Sequence, residues 1–168
     1  MVIQFIIIFF QLFLTVDFNQ KVKRTLTPLS ETEIVHALND GHIAEFGYEP
    51  KHHRLEVATA QIFLENGRGK LIYCNNFGMI GAGPHEKYFK ISGHKMRAAI
   101  SPVDGAKAYW HAMRVGHSGS LRWFDAGDPK NAAYQLARSG YHRTDKDAYA
   151  KILSELYTAG VRAVKNAK

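Results

Sequence analysis

Glu65 closes a stretch, Leu55 to Leu64, that is apolar on almost every side of a helical wheel: Leu55, Val57, Ala58, Ala60, Ile62, Phe63 and Leu64 leave no polar face. That pattern predicts a helix buried in a core. In its later turns only Gln61 and Glu65 are polar, and being four residues apart they share one stripe, which Ala58 continues with a side chain too small to block access. Gly67 and Gly69 stop the helix. A carboxyl in the last turn of such a helix meets the negative end of the helix dipole and loses part of its hydration, and both effects favour the uncharged acid. Such a group is a proton donor, suited to general acid catalysis. The same letters also allow a plainer reading, an exposed glutamate beside a helix-ending glycine.

The other residue types that could do chemistry are sparse. His52-His53 invites a metal, but no further His, Cys or Asp falls at a ligand spacing, so the pair is read as exposed residues at a helix start. The remaining histidines are dispersed, and no metal or cofactor is expected. Cys74 is the only cysteine, which excludes an internal disulfide and suggests a buried or half-buried thiol.

A wider pattern surrounds Glu65. Ala60-Gln61-x-x-x-Glu65-Asn66-Gly67-x-Gly69-Lys70, followed by Asn75-Asn76-Phe77-Gly78-Met79, resembles the flagellar-type cell-wall glucosaminidases of the lysozyme-like superfamily, whose motifs read A-Q-x-x-x-E-[ST]-G-x-G-x-S and N-N-x-F-G-I-K. This chain has Asn66 where Ser or Thr is usual, Arg68 for an aromatic, and one residue fewer in the second motif. The resemblance spans residues 49–153. It implies a mainly α, lysozyme-like α+β fold, a helical bundle around a buried catalytic helix with a small β-lobe or hairpin. It implies Glu65 as the general acid in cleavage of the β-1,4 glycan backbone of peptidoglycan.

The same resemblance supplies the other site expectations. Gln61, on the acid's own stripe, is expected to bind substrate, as are Asn75, Asn76 and Phe77 on the cleft floor; the residues alone equally allow an Asn-Asn turn with Phe77 in the core. The family carries a second carboxylate on a mobile lobe, and Glu86 is the only acidic residue between Glu65 and Asp104, so it is the expected partner, with Tyr88 and Phe89 stacking on substrate. Gly140-Tyr141-His142-Arg143-Thr144, with Tyr149-Ala150, resembles a family segment whose first tyrosine approaches the acid, which makes Tyr141 a catalytic candidate. Tyr109 and Trp110 fit the core or, for Tyr109, a sugar platform. If Glu86 activates water, the outcome is hydrolysis; if the substrate's N-acetyl oxygen or 6-hydroxyl completes the step, the latter gives a 1,6-anhydro product, as in lytic transglycosylases. A non-catalytic, lysozyme-like wall-binding or particle subunit is the rival class.

These residues need elements to hold them. Ser30-Glu31-Thr32-Glu33 is a capping box that opens a helix expected to stop near Gly41. Residues 71–83 form an extended or looped stretch, and 85–100 a weakly alternating hairpin or β-lobe. Ser101-Pro102-Val103-Asp104 starts a helix through Met113, Asp128-Pro129 caps another that ends at Gly140, and Thr144 with Asp147 begins a last amphipathic helix.

The 168 residues suit one domain, expected over 30–168 after a basic linker at 21–29. Residues 1–20 are strongly apolar, yet short for a spanning helix and without a signal peptide's basic start; they read as a membrane-interacting or anchor segment, or as a surface buried against particle subunits. Lys21, Lys23 and Arg24 would hold the domain on the cytoplasmic side, in conflict with a wall enzyme. A net charge of +7 points to an anionic partner. The basic residues are scattered without interleaved aromatics, which favours peptidoglycan strands over nucleic acid. The expected location is the periplasm or cell envelope, or a phage virion.

Overall fold

Ser30 opens the first helix, α1 (Glu31–Phe46), through both arms of its capping box: the Glu33 N–H donates to Ser30 Oγ at 3.2 Å and the Ser30 N–H to Glu33 Oε2 at 2.8 Å. In the computed structural model, which describes residues 20–142 and 144–168, α1 does not stop near Gly41 but runs on to a left-handed Gly47. Gly41 serves close packing instead of termination. A Cβ there would lie 2.7 Å from the Cβ of Ala106 on a neighbouring helix. Residues 1–19 of the apolar segment 1–20, on which the membrane and assembly readings rest, lie outside the described residues.

The central helix α2 (His52–Asn66) is buried on nearly all sides, as its wheel predicts, and ends where Gly67 turns left-handed and donates to the Phe63 carbonyl. Around it pack α3 (Pro102–Gly116), α4 (Ser118–Asp125), α5 (Pro129–Arg138) and α6 (Lys146–Asn166). Ser101 and Asp128 cap α3 and α5 as expected, each with proline at the start of the helix. Asp145, not Thr144, caps α6: its Oδ1 accepts from the Asp147 and Ala148 N–H groups at 2.8 and 3.3 Å. One core joins these helices, with Trp110, Tyr109, Phe63, Phe77 and Phe124 as its largest fully buried side chains. Trp110 satisfies its indole N–H on the Leu38 carbonyl at 2.8 Å, which ties α3 to α1.

The β part is a single antiparallel hairpin, β1 (Tyr88–Ile91) and β2 (His94–Arg97), turning through Ser92-Gly93, both at positive φ. The architecture is thus mainly helical with a small hairpin. Phe89, Met96 and the free thiol of Cys74 form a second, smaller core beneath it. Residues 21–29, expected as a linker, are an extended strap built into this lobe. Val22 and Tyr88 are joined by an N–H to carbonyl bond of 2.8 Å, the Tyr88 N–H returns to Gln20, and the strap's other end pairs Thr25 with Cys74 and Thr27 with Ile72. An extended backbone must place its N–H and C=O groups somewhere, and here they complete the lobe. Among the described residues no helix is long and apolar enough to cross a membrane.

Candidate active site

Glu65 lies half-buried in the last turn of α2, and its Oε1 accepts a hydrogen bond of 2.8 Å from the Tyr149 hydroxyl on α6. Behind it runs a directed chain of donors: the Tyr109 hydroxyl donates to Gln61 Oε1 at 2.7 Å, Gln61 Nε2 to the Tyr149 hydroxyl at 3.4 Å, and Tyr149 to Glu65. Every bond points the same way, toward the carboxyl. Three helices, α2, α3 and α6, each contribute to the chain, so its geometry is set by the packing of the bundle.

The electrostatics follow from burial. Desolvation raises the Glu65 carboxyl above the ordinary range and outweighs the Tyr149 bond, which favours the ionised form. Tyr109 and Tyr141 are pushed well up by burial and by the charge of Glu65, and Tyr149 in the same direction, so all three hydroxyls remain neutral donors. His142 stacks flat on the Tyr149 ring at 3.8 Å and is held toward its neutral form by desolvation. Next to the acid, Asn66 is fully buried with neither atom of its amide bonded to a protein group.

Several expected site residues occupy other roles. Gln61 and Tyr109 are fully buried, so they belong to the chain behind the acid and present nothing for a sugar to touch. Asn76 is buried as well: its Nδ2 donates to the Ile80 and Arg97 carbonyls at 2.8 and 3.0 Å and its Oδ1 accepts from the Ile80 N–H at 2.7 Å. It staples the loop to the hairpin. Phe77 and Phe89 are core, as is Trp110. Asn75 sits half-buried at φ 53°, with its Nδ2 on the Ala99 carbonyl, the turn conformation that an Asn pair favours. Tyr88 is half-buried on β1 beneath the Lys95 ammonium.

Tyr141 does come to the site. Its hydroxyl donates to the Gly78 carbonyl at 2.9 Å rather than to Glu65, and a Cβ on Gly78 would lie 2.6 Å from that hydroxyl and 2.8 Å from the Tyr109 ring. Only glycine, here at φ 65°, lets the loop approach so closely. Glu86 does not join. Arg97 holds its Oε1 at 2.5 Å and the Gly83 N–H its Oε2 at 2.9 Å, and Arg97 also reaches Asp104. None of these bonds leads to the Glu65 chain.

Two residues that matter were missed from the sequence. Tyr149, the direct partner of Glu65, stood inside the quoted Tyr-Ala pair, which was given no role of its own. Glu56, passed over on the apolar wheel, gathers on its buried carboxylate His52 Nε2 at 2.9 Å, His53 Nδ1 at 2.8 Å and the Tyr157 hydroxyl at 3.0 Å. The spacing of His52, His53 and Glu56, three and four apart, was the available signal. Among the described residues no three His, Cys, Asp or Glu side chains are grouped to hold a metal ion. Two open surface concavities, of about 590 and 360 Å³, lie elsewhere on the helices, and Glu65 lines neither. Compared with protein-family models, curated proteins and solved structures, the chain matches none.

Proposed function

We propose that this chain cleaves the β-1,4 glycan backbone of peptidoglycan, with Glu65 as the general acid. The observation that carries the reading is the setting of that carboxyl: half-buried, shifted by desolvation toward its protonated form, and bonded by one neutral tyrosine. The acid gives its proton to the leaving glycosidic oxygen as the C1–O bond breaks and positive charge develops at C1. The Tyr149 hydrogen bond is stronger to a carboxylate than to an acid, so it grows as the proton departs. The bond therefore assists the step it faces.

Completion by the substrate itself suits the geometry better than completion by Glu86. Recruiting Glu86 would break its ion pair with Arg97, whereas the 6-hydroxyl of the cleaved sugar can attack C1 while its proton returns to Glu65. The product would be a 1,6-anhydro sugar, with the acid regenerated. Attack by the N-acetyl oxygen followed by water gives the hydrolytic product from the same first step.

A non-catalytic wall-binding subunit is the second reading, favoured by Glu65 lining neither concavity and by the burial of Gln61, Asn76, Phe77 and Tyr109. Incubation of purified cell walls with the wild type and with Glu65→Gln separates the two. The enzyme reading expects soluble muropeptides from the wild type and a loss of about 10²- to 10⁴-fold in the variant, whose fold is unchanged by circular dichroism. Mass analysis of the released sugars then distinguishes anhydro from reducing ends. Equal release by both proteins would contradict the role given to Glu65.

A further inference from the structure

The larger concavity, about 590 Å³, lies over α5 between α4 and the start of α6. Three cations line it, Arg122, Arg138 and Lys146. These three cations have no ion pair among the described residues. Arg122 is also held flat, with its guanidinium carbon 4.8 Å over the Trp123 ring, which leaves the planar edge free for a two-oxygen anion. Groups of different chemistry are interspersed with them. Asn131 and Gln135 share one face of α5 with Arg138, the Asn131 amide already donating to Asp128 Oδ2 at 2.7 Å, and Asp147, beside Lys146, takes the Tyr134 hydroxyl on Oδ1 at 2.8 Å and keeps its second oxygen for an N–H.

Three cations against one carboxylate, interspersed with amide side chains, describe a ligand that is both anionic and rich in peptide bonds. We infer that this cavity binds a short acidic peptide through a free carboxylate at Arg122, Arg138 and Lys146. Resting on the reading of Glu65, the ligand is the acidic stem peptide carried by the glycan strand being cut. The cavity then selects peptide-bearing strands, and Glu65 does the chemistry elsewhere on the same chain.

Binding is measured by calorimetry on the full chain carrying Glu65→Gln, so that no turnover intrudes, with two probes: the free-acid peptide Ala-Glu-Lys-Ala and its neutralised counterpart Ala-Gln-Lys-Ala amide. The free acid should bind at least about tenfold more tightly, the worth of one charge-assisted hydrogen bond, and weaken as salt is raised. Arg138→Gln and Arg122→Gln should each reduce its affinity about tenfold while leaving thermal stability near that of the parent. Equal binding of the two probes, binding of neither, or indifference to both substitutions would overturn the inference. Inert wild-type protein on cell walls alongside intact peptide binding would count against Glu65 alone.

Discussion

The two halves of α2 carry the same acid in opposite circumstances. Glu56, in the N-terminal half, is buried and fully bonded by two histidines and a tyrosine, and two residues before it Arg54 clamps Asp125 through Nε and Nη2 at 2.5 and 2.8 Å. Glu65, in the C-terminal half, receives one tyrosine from the same partner helix and, among the described residues, no ion pair. Tyr157 and Tyr149 on α6 thus serve equivalent bonds at the two ends. What differs is the rest of the shell. Surrounded by donors, a carboxylate is a structural joint; left with one neutral donor and little water, it becomes a group whose proton can be moved.

The sharpest way to break this comparison is to neutralise each acid in turn. Glu65→Gln should abolish muropeptide release, whereas Glu56→Gln should leave release per folded molecule within a few fold and appear instead as a lower melting temperature, checked by calorimetry beside the digestion assay. Next in size is the clamp that seats the N-terminal half. Arg54→Ala leaves the half-buried Asp125 to Lys51, 3.2 Å away, and removes the donor to Nε2 of a buried, neutral His42, whose other ring nitrogen donates to the Tyr48 carbonyl. We expect a loss of about 3 kcal/mol, read from urea denaturation, with no change in which bond is cut.

Tyr149→Phe probes the other end more gently. It removes the one hydrogen bond that favours ionised Glu65, at a cost of about 1 kcal/mol of stability, and should slow cleavage about tenfold while shifting the alkaline limb of the pH profile upward.

The two halves should also respond to pH with opposite sign. Glu65 binds its proton more tightly folded than unfolded, so its contribution to stability is complete below the unfolded glutamate value of about 4.3 and is lost as pH rises through the higher folded value. Burial pulls Asp125 upward, but the bonds from Arg54 and Lys51 outweigh it and hold the group below its usual range. Its contribution is complete above the unfolded value of about 3.9 and is lost as pH falls through the folded one. Melting curves from pH 3 to 8 should therefore show Glu65→Gln gaining on the wild type as pH rises, and Asp125→Asn losing on it.

Much of this arrangement was legible in the residues. The capping box at Ser30, the buried wheel of α2, its stop at Gly67 and the hairpin before Ser101 are local patterns, and local patterns survive folding. Gly41 was misread because its meaning lies on another helix, at Ala106. The same limit applies to the site: four apolar or polar letters, Gln61, Asn76, Phe77 and Tyr109, looked like ligands for a sugar and became interior parts once tertiary packing decided which faces meet solvent. The strap at 21–29 was read as a linker since its partners, residues 72–74 and Tyr88, are distant in the chain. Glu65 itself was recoverable because burial and helix end were both written in its immediate neighbours.

Everything here turns on where the Glu65 proton resides. Titration of the side-chain carboxyl carbons by NMR, with Glu65→Gln to assign the resonance, reads that directly. The Glu65 midpoint should lie above that of an ordinary glutamate and move higher in Tyr149→Phe. A midpoint at or below the ordinary value, unmoved by the loss of Tyr149, would contradict the role given to Glu65.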